Sequence, residues 1–214
     1  MIRSLTPIYS TAWRALVLLL TVEIAAVSAL RYLAGSEPPP PPILANAYAQ
    51  PFLIVHVIGG MTALLVGPIQ FVRRIRTRWP AFHRAAGRLY VGACAIGAPT
   101  GFILGLGTTA GPVASVGFAV PAVLCAVFTW LGWRAAVERR FDDHRDWMLR
   151  SYGIVAVAIT LRLLIPAAAF LDLDFLAAYR VNSWLAWIIN VALVEYAIRR
   201  RRPATGTHAR FAAT

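Results

Sequence analysis

Apolar residues run almost unbroken over residues 12–33, 51–72, 89–109, 113–137, 149–171 and 181–198. A helix rises about 1.5 Å per residue, so about 20 apolar residues cross the hydrocarbon core of a bilayer. Each stretch is therefore read as a transmembrane helix, the last only just long enough. The pattern predicts an all-α fold, a six-helix transmembrane bundle in which residues 1–214 form one polytopic membrane domain. Polar breaks separate the spans. Residues 35–50 contain the run Pro38 to Pro42, which cannot continue a helix and predicts an extended loop. Residues 199–214 form a basic tail.

Within the spans, small and polar residues recur at helical spacing. His56, Gly60, Ala63, Gly67 and Gln70 follow 4, 3, 4, 3 steps and predict one seam of the second span. Ala93, Gly97, Gly101 and Gly105 form the like seam of the third, and Ser151, Val155, Ala158, Arg162 and Pro166 that of the fifth. Lipid offers no hydrophobic drive between helices, so small residues that allow close approach mark packing faces. The fifth-span seam is expected to face the second.

Composition agrees with the pattern. The chain is 59% hydrophobic and 14% charged, with a mean hydropathy of +0.64. Soluble domains carry about 25% charged residues, and disordered chains need low hydrophobicity, so both classes are excluded. The net charge of +12 comes from 21 basic residues, all arginine. Their placement argues against nucleic acid, because they flank apolar stretches instead of forming a phosphate-tracking stripe. Arg3 and Arg14, six arginines in residues 73–88, five in 134–150 and five in 199–210 fall on one side. Arg31 and Arg180, against Glu37, Asp172 and Asp174, fall on the other. The positive-inside rule then places both termini in the cytoplasm. Glu23 interrupts the first apolar stretch, and the small-residue site Ala47-Tyr48-Ala49 lies far beyond it, which favours an uncleaved span over a signal peptide. Tyr90 and Trp147 are among the aromatics read as headgroup-level anchors. Cys94 and Cys125 sit inside apolar stretches as small hydrophobes and form no CxxC motif.

The two large basic loops end alike. His83-Arg84 leads through Arg88 to Tyr90, and His144-Arg145 leads through Trp147 and Arg150 to Tyr152, with one extra residue in the second copy. Both enter a span in the same direction, which points to a parallel duplication of a two-helix unit. An intramembrane His56, Gly-Pro-x-Gln-Phe at Gly67 to Phe71, His-Arg-x-x-Gly-Arg-x-Tyr at His83 to Tyr90, His-Arg-x-Trp-Met-x-Arg-Ser-Tyr at His144 to Tyr152, and Arg162 together resemble a bacterial family of predicted membrane proteins classed as a domain of unknown function. The resemblance covers residues 52–164. It implies an integral membrane protein of helical-bundle type and carries no reaction with it.

Intramembrane ionisable residues are disfavoured by about 2.5–3.5 kcal/mol on the insertion scale and tend to mark function. Glu23, His56, Arg162 and Glu195 are the candidates. By helical rise, His56 and Arg162 come within about one turn of each other in depth. They predict a buried polar site with Glu23 and Gln70, in which Arg162 clamps an anion or carbonyl and His56 acts as ligand or proton carrier. The bland alternative is an Arg162 to Glu23 ion pair beside a hydrogen-bonded histidine. His83 and His144 lie level at the cytoplasmic edge. Two readings stay open for them: with Arg84, Arg88, Arg145, Trp147 and Arg150 they bind anionic lipid phosphates, Asp143 capping the fifth helix, or they serve a haem- or quinone-linked redox protein, with haem b as the cofactor. A structural or assembly role without its own activity is the third class. The sequence has no metal-ligand cluster, nucleotide loop or nucleophile elbow.

Overall fold

The computed structural model describes residues 6–36, 43 and 45–201, so the proline run and most of the arginine tail lie outside the described residues. The chain forms α1 (Thr6–Tyr32), α2 (Ala49–Gln70), α3 (Arg73–Arg78), α4 (Pro80–Leu106), α5 (Pro112–Val137), α6 (Phe141–Val155), α7 (Val157–Phe170) and α8 (Phe175–Arg201). Six segments are long and apolar enough to cross a membrane, α6 and α7 together making the fifth. The protein is an all-α transmembrane bundle. Helix starts follow local chemistry: Pro80 and Pro112 stand in the first turn, where a missing N–H leaves no bond unmade. Gly111, before α5, has φ of +93°, a conformation that side chains resist.

Two expected loops are largely helical. Residues 73–88 fold into α3 and the first turns of α4, and the fifth span begins at Phe141, well before the apolar stretch. Arginine is a good helix former, so polar composition there marks the membrane edge and does not mark an end of helix. Arg140, not Asp143, occupies the cap position of α6; Asp143 lies in the first turn and pairs with Arg140.

The helices α2, α4, α5 and α6 form the centre. The pair α2 and α4 is closely packed, α4, α5 and α6 follow as antiparallel neighbours, and α2 touches α6. Outside them, α8 lies on α5, α6 and α7, and α1 lies on α2 and α7. The buried residues are mostly small: Ala63, Ala93, Ala114, Ala135, Ala186, Ser151 and Thr129 are each under 8% exposed. Bulky apolar side chains such as Trp130 (62%) and Phe170 (90%) point outward. That inversion suits a protein whose surroundings are as apolar as leucine.

Gly59 makes the closest approach of α2 to α4, since a Cβ there would stand 3.0 Å from the Ala93 carbonyl and 3.1 Å from the Gly97 Cα. Gly60, the expected seam residue, faces open space. Steps of 3 and of 4 between His56 and Ala63 are equally helical, and only the contact selects between them.

The fifth span is broken at Ala156, which separates α6 from α7. Asn190 of α8 bridges the break. Its Nδ2 donates to the Gly153 carbonyl (2.9 Å), whose helical partner would be the Val157 N–H, and its Oδ1 accepts from Thr160 Oγ1 (2.8 Å). A side chain inserted into the backbone ladder is a recognised cause of kinks. The expected single seam is correspondingly divided, with Ser151 buried and Arg162 and Pro166 exposed.

Candidate functional site

At the arginine-rich face, α4 and α6 present matching sides. His83, Gly87 and Tyr90 stand at i, i+4 and i+7 on α4, and His144, Met148 and Ser151 at the same spacing on α6. The two sides meet where the Tyr90 hydroxyl and Ser151 Oγ, 61 residues apart, share a hydrogen bond of 2.9 Å. Ser151 Oγ also bonds Thr129 Oγ1 of α5 at 2.7 Å. Cys94 and Cys125 are free thiols buried beside this group. Tyr90, at 1% exposure, is a core residue and not the headgroup anchor expected from its place in sequence.

The constant offset of 61 makes Ser151, not Tyr152, the structural counterpart of Tyr90. Tyr152 turns instead to α2. A Cβ on Gly67 would lie 2.3 Å from the Tyr152 ring, so only glycine leaves that seat. Phe71 meets the same ring edge-on with centroids 5.8 Å apart. Gly-Pro-x-Gln-Phe and Arg-Ser-Tyr are thus two halves of one contact.

Two buried nitrogens beside this contact lack partners among the described residues: Gln70 Nε2 and His83 Nδ1. The Gln70 amide oxygen rests against Gly87, where a Cβ would be 3.4 Å away, one helical turn from His83. The neighbouring His144 is fully oriented, its Nδ1 lying 2.8 Å from the Gly132 carbonyl. A carbonyl can only accept, so Nδ1 carries a hydrogen. An unmatched buried polar atom is costly, so each of the two leaves a place for a hydrogen-bonding partner.

The arginines of the motifs divide. Arg84, Arg88 and Arg145 are exposed. Arg150 forms a two-point ion pair with Glu195 of α8, at 2.5 and 3.1 Å, and stacks over Trp147 at 4.6 Å from the ring centroid. This pair fastens α6 to α8, and its members lie 45 residues apart. Trp147 serves that stack and packs on Phe128, centroids 5.7 Å apart.

Towards the opposite face, His56 of α2 directs Nδ1 to the Gly97 carbonyl (2.9 Å), and its ring lies where a Cβ of Gly101 would come within 2.7 Å. Arg162 of α7 reaches Ser28 Oγ of α1 (2.7 Å) and the Ala158 carbonyl of its own helix (3.1 Å). The alternative ion pair with Glu23 is not formed; Glu23 is on the exposed side of α1, while Ser28, five residues on, turns inward. The structure therefore bonds His56 to α4 and Arg162 to α1, leaves Glu23 out of both contacts, and puts Gln70 at the other end of α2, against Gly87.

Sequence reasoning passed over Thr129, Ser28 and Asn190. All are uncharged polar residues inside spans. Their signal was polarity at membrane depth, which is weaker than charge but carries the same need for a partner.

A bundle of six apolar spans, its polar residues gathered at helix contacts, defines a multi-pass integral membrane protein. Residues 53–198 match the family model described as Predicted membrane protein (DUF2306), and the chain belongs to that family. The matched region takes in the last span as well as every motif quoted above. No curated protein and no solved structure is significantly similar to the chain.

Proposed function

We propose that the protein is a small-molecule-binding bundle of the bacterial cytoplasmic membrane, with its ligand site at the arginine-rich, cytoplasmic edge between α2, α4 and α6. The observation that carries this reading is the pair of unmatched buried nitrogens, Gln70 Nε2 and His83 Nδ1. A single carbonyl oxygen has two lone pairs and can accept from both. The ligand class that fits is an apolar molecule with a carbonyl head, such as a quinone, entering from the bilayer. His144, its Nδ1 bonded to the Gly132 carbonyl, keeps Nε2 as a further hydrogen-bonding atom at the same edge. Arg84, Arg88 and Arg145 are left to hold anionic lipid phosphates around the entrance.

The test is extraction of quinone from the purified protein together with its absorption spectrum. The expected result is a bound quinone lost in Gln70→Leu and His83→Ala and kept in His56→Ala. A Soret band lost on His83→Ala or His144→Ala would move the reading to haem b held by those two rings. Colourless, quinone-free protein would overturn both.

A second reading rests on Arg162. Among the described residues it pairs with a hydroxyl and a carbonyl and with no carboxylate, so its charge is uncompensated inside the membrane. That favours an anion or carbonyl ligand between α1 and α7, near His56, as in a small transporter. Binding or transport lost in Arg162→Leu and not regained in Arg162→Lys would support it, because lysine cannot reproduce a two-point clamp.

A further inference from the structure

On the face of the bundle away from these sites, a groove of about 350 Å³ runs between the start of α5 and α8. It is lined by Val113 of α5 and by Arg180, Val181, Trp184, Leu185 and Ile188 of α8. The α8 residues stand at i, i+1, i+4, i+5 and i+8, so the groove follows one side of the helix for about 12 Å, most of the depth of one leaflet. Its walls are apolar along that whole length except at one end, where Arg180 stands at the membrane edge opposite the arginine-rich loops.

Arg180 is held in place without being neutralised. Its Nε donates to the Ala110 carbonyl at 2.6 Å, and this is its hydrogen bond among the described residues; no ion pair with a described carboxylate is formed. Its terminal Nη2 lies over Gly111, 3.5 Å from where a Cβ would be, at the positive end of the α5 dipole. Asp174, a turn and a half before Arg180, is engaged in capping the Ala177 N–H at 2.7 Å. Trp184 is held by its own bond from Nε1 to the Val113 carbonyl, 3.0 Å.

A guanidinium without a described carboxylate partner, at headgroup depth above an open apolar groove on the lipid-facing surface, is complementary to one class of molecule, an anionic chain-bearing lipid. We infer that this groove binds one anionic glycerophospholipid of the leaflet opposite the arginine-rich loops, its phosphate on Arg180 and one acyl chain along Trp184 and Ile188. The two halves of the site are separable: Arg180 selects the head, and the channel accepts any chain.

The test uses the full chain purified from a bilayer with equal parts of phosphatidylglycerol and phosphatidylcholine of identical chains, and counts retained lipids by native mass spectrometry. Wild-type protein is expected to keep one phosphatidylglycerol in preference to phosphatidylcholine. Arg180→Gln should lower that preference roughly tenfold, the scale of one charge-assisted hydrogen bond. Ile188→Trp fills the channel while leaving the Arg180 to Ala110 bond in place, and should remove retained lipid of both kinds. The inference is overturned if wild type shows no headgroup preference, if Arg180→Gln keeps it, if Ile188→Trp retains lipid as before, or if the groove is found covered by a second copy of the chain that Ile188→Trp releases.

Discussion

At Gly67 the absence of a side chain carries a contact between two helices. Its missing side chain seats the Tyr152 ring, and the same ring meets Phe71. In Gly67→Ala the new methyl would enter the ring, which is ring carbon and not the free end of a flexible chain, so α6 must move from α2. Overpacking of this kind costs about 1–3 kcal/mol. The expected outcome is a lowered melting temperature in detergent, restored in part by Tyr152→Ala in the same chain. An unchanged melting temperature would show that the ring is not seated there. The histidines behave differently from one another at this scale. His56 and His144 have Nδ1 engaged by glycine carbonyls and are oriented, whereas His83 keeps a buried nitrogen without a described partner. The sequence places all three with equal clarity. It does not distinguish satisfied from unsatisfied, because the acceptors are backbone atoms of other helices.

Among the elements, the broken fifth span is the informative case. Nothing in residues 149–171 forces a break at Ala156, since the proline of that stretch, Pro166, lies ten residues later. Asn190 supplies the cause from α8, and its removal has a definite consequence. In Asn190→Ala the Gly153 carbonyl and the Thr160 hydroxyl each lose a bond, at about 1–2 kcal/mol for interhelical bonds in lipid. Thermal unfolding should fall accordingly, and Thr160→Val should add little further once Asn190 is gone. Independent, additive losses would mean that the two residues do not act through Asn190.

The turn from α5 to α6 makes a pH-dependent prediction. Glu138 accepts from Arg134 Nε at 2.7 Å and from Arg140 Nη2 at 2.7 Å, and these two guanidinium groups hold its carboxyl below the usual carboxylate range. A depressed folded value means that the stabilisation is present above the unfolded value, about 4.3, and is lost as pH falls through the lower folded one. The difference in melting temperature between wild type and Glu138→Gln should therefore be constant at neutral pH and shrink in that acid window. The group is exposed, so the effect is small. A difference that grew on acidification would contradict the pairing.

For the whole molecule, the six spans and the distribution of arginines require the start of α1 and the end of α8 to share a side. Reporter fusions at Pro40 and after Arg201 should report opposite sides of the membrane, Pro40 outside. Finding both on one side would remove the orientation. Helix number, the boundaries near 51–72 and 113–137, and the basic edge were legible because length and hydropathy are local, additive properties that bilayer thickness converts directly into structure. The motifs at Gly67, His83 and His144 were legible as positions for the same reason: helical spacing fixes which residues share a side.

What tertiary structure alone decided is which sides meet. Gly59 in place of Gly60, Ser151 in place of Tyr152 as the counterpart of Tyr90, Glu195 as the partner of Arg150, and Ser28 in place of Glu23 for Arg162 are all choices between residues that periodicity treats as equals. Periodicity states where a side chain lies around its own helix axis. Contact depends on the rotation and crossing of two axes, a property that neither helix carries in its own sequence.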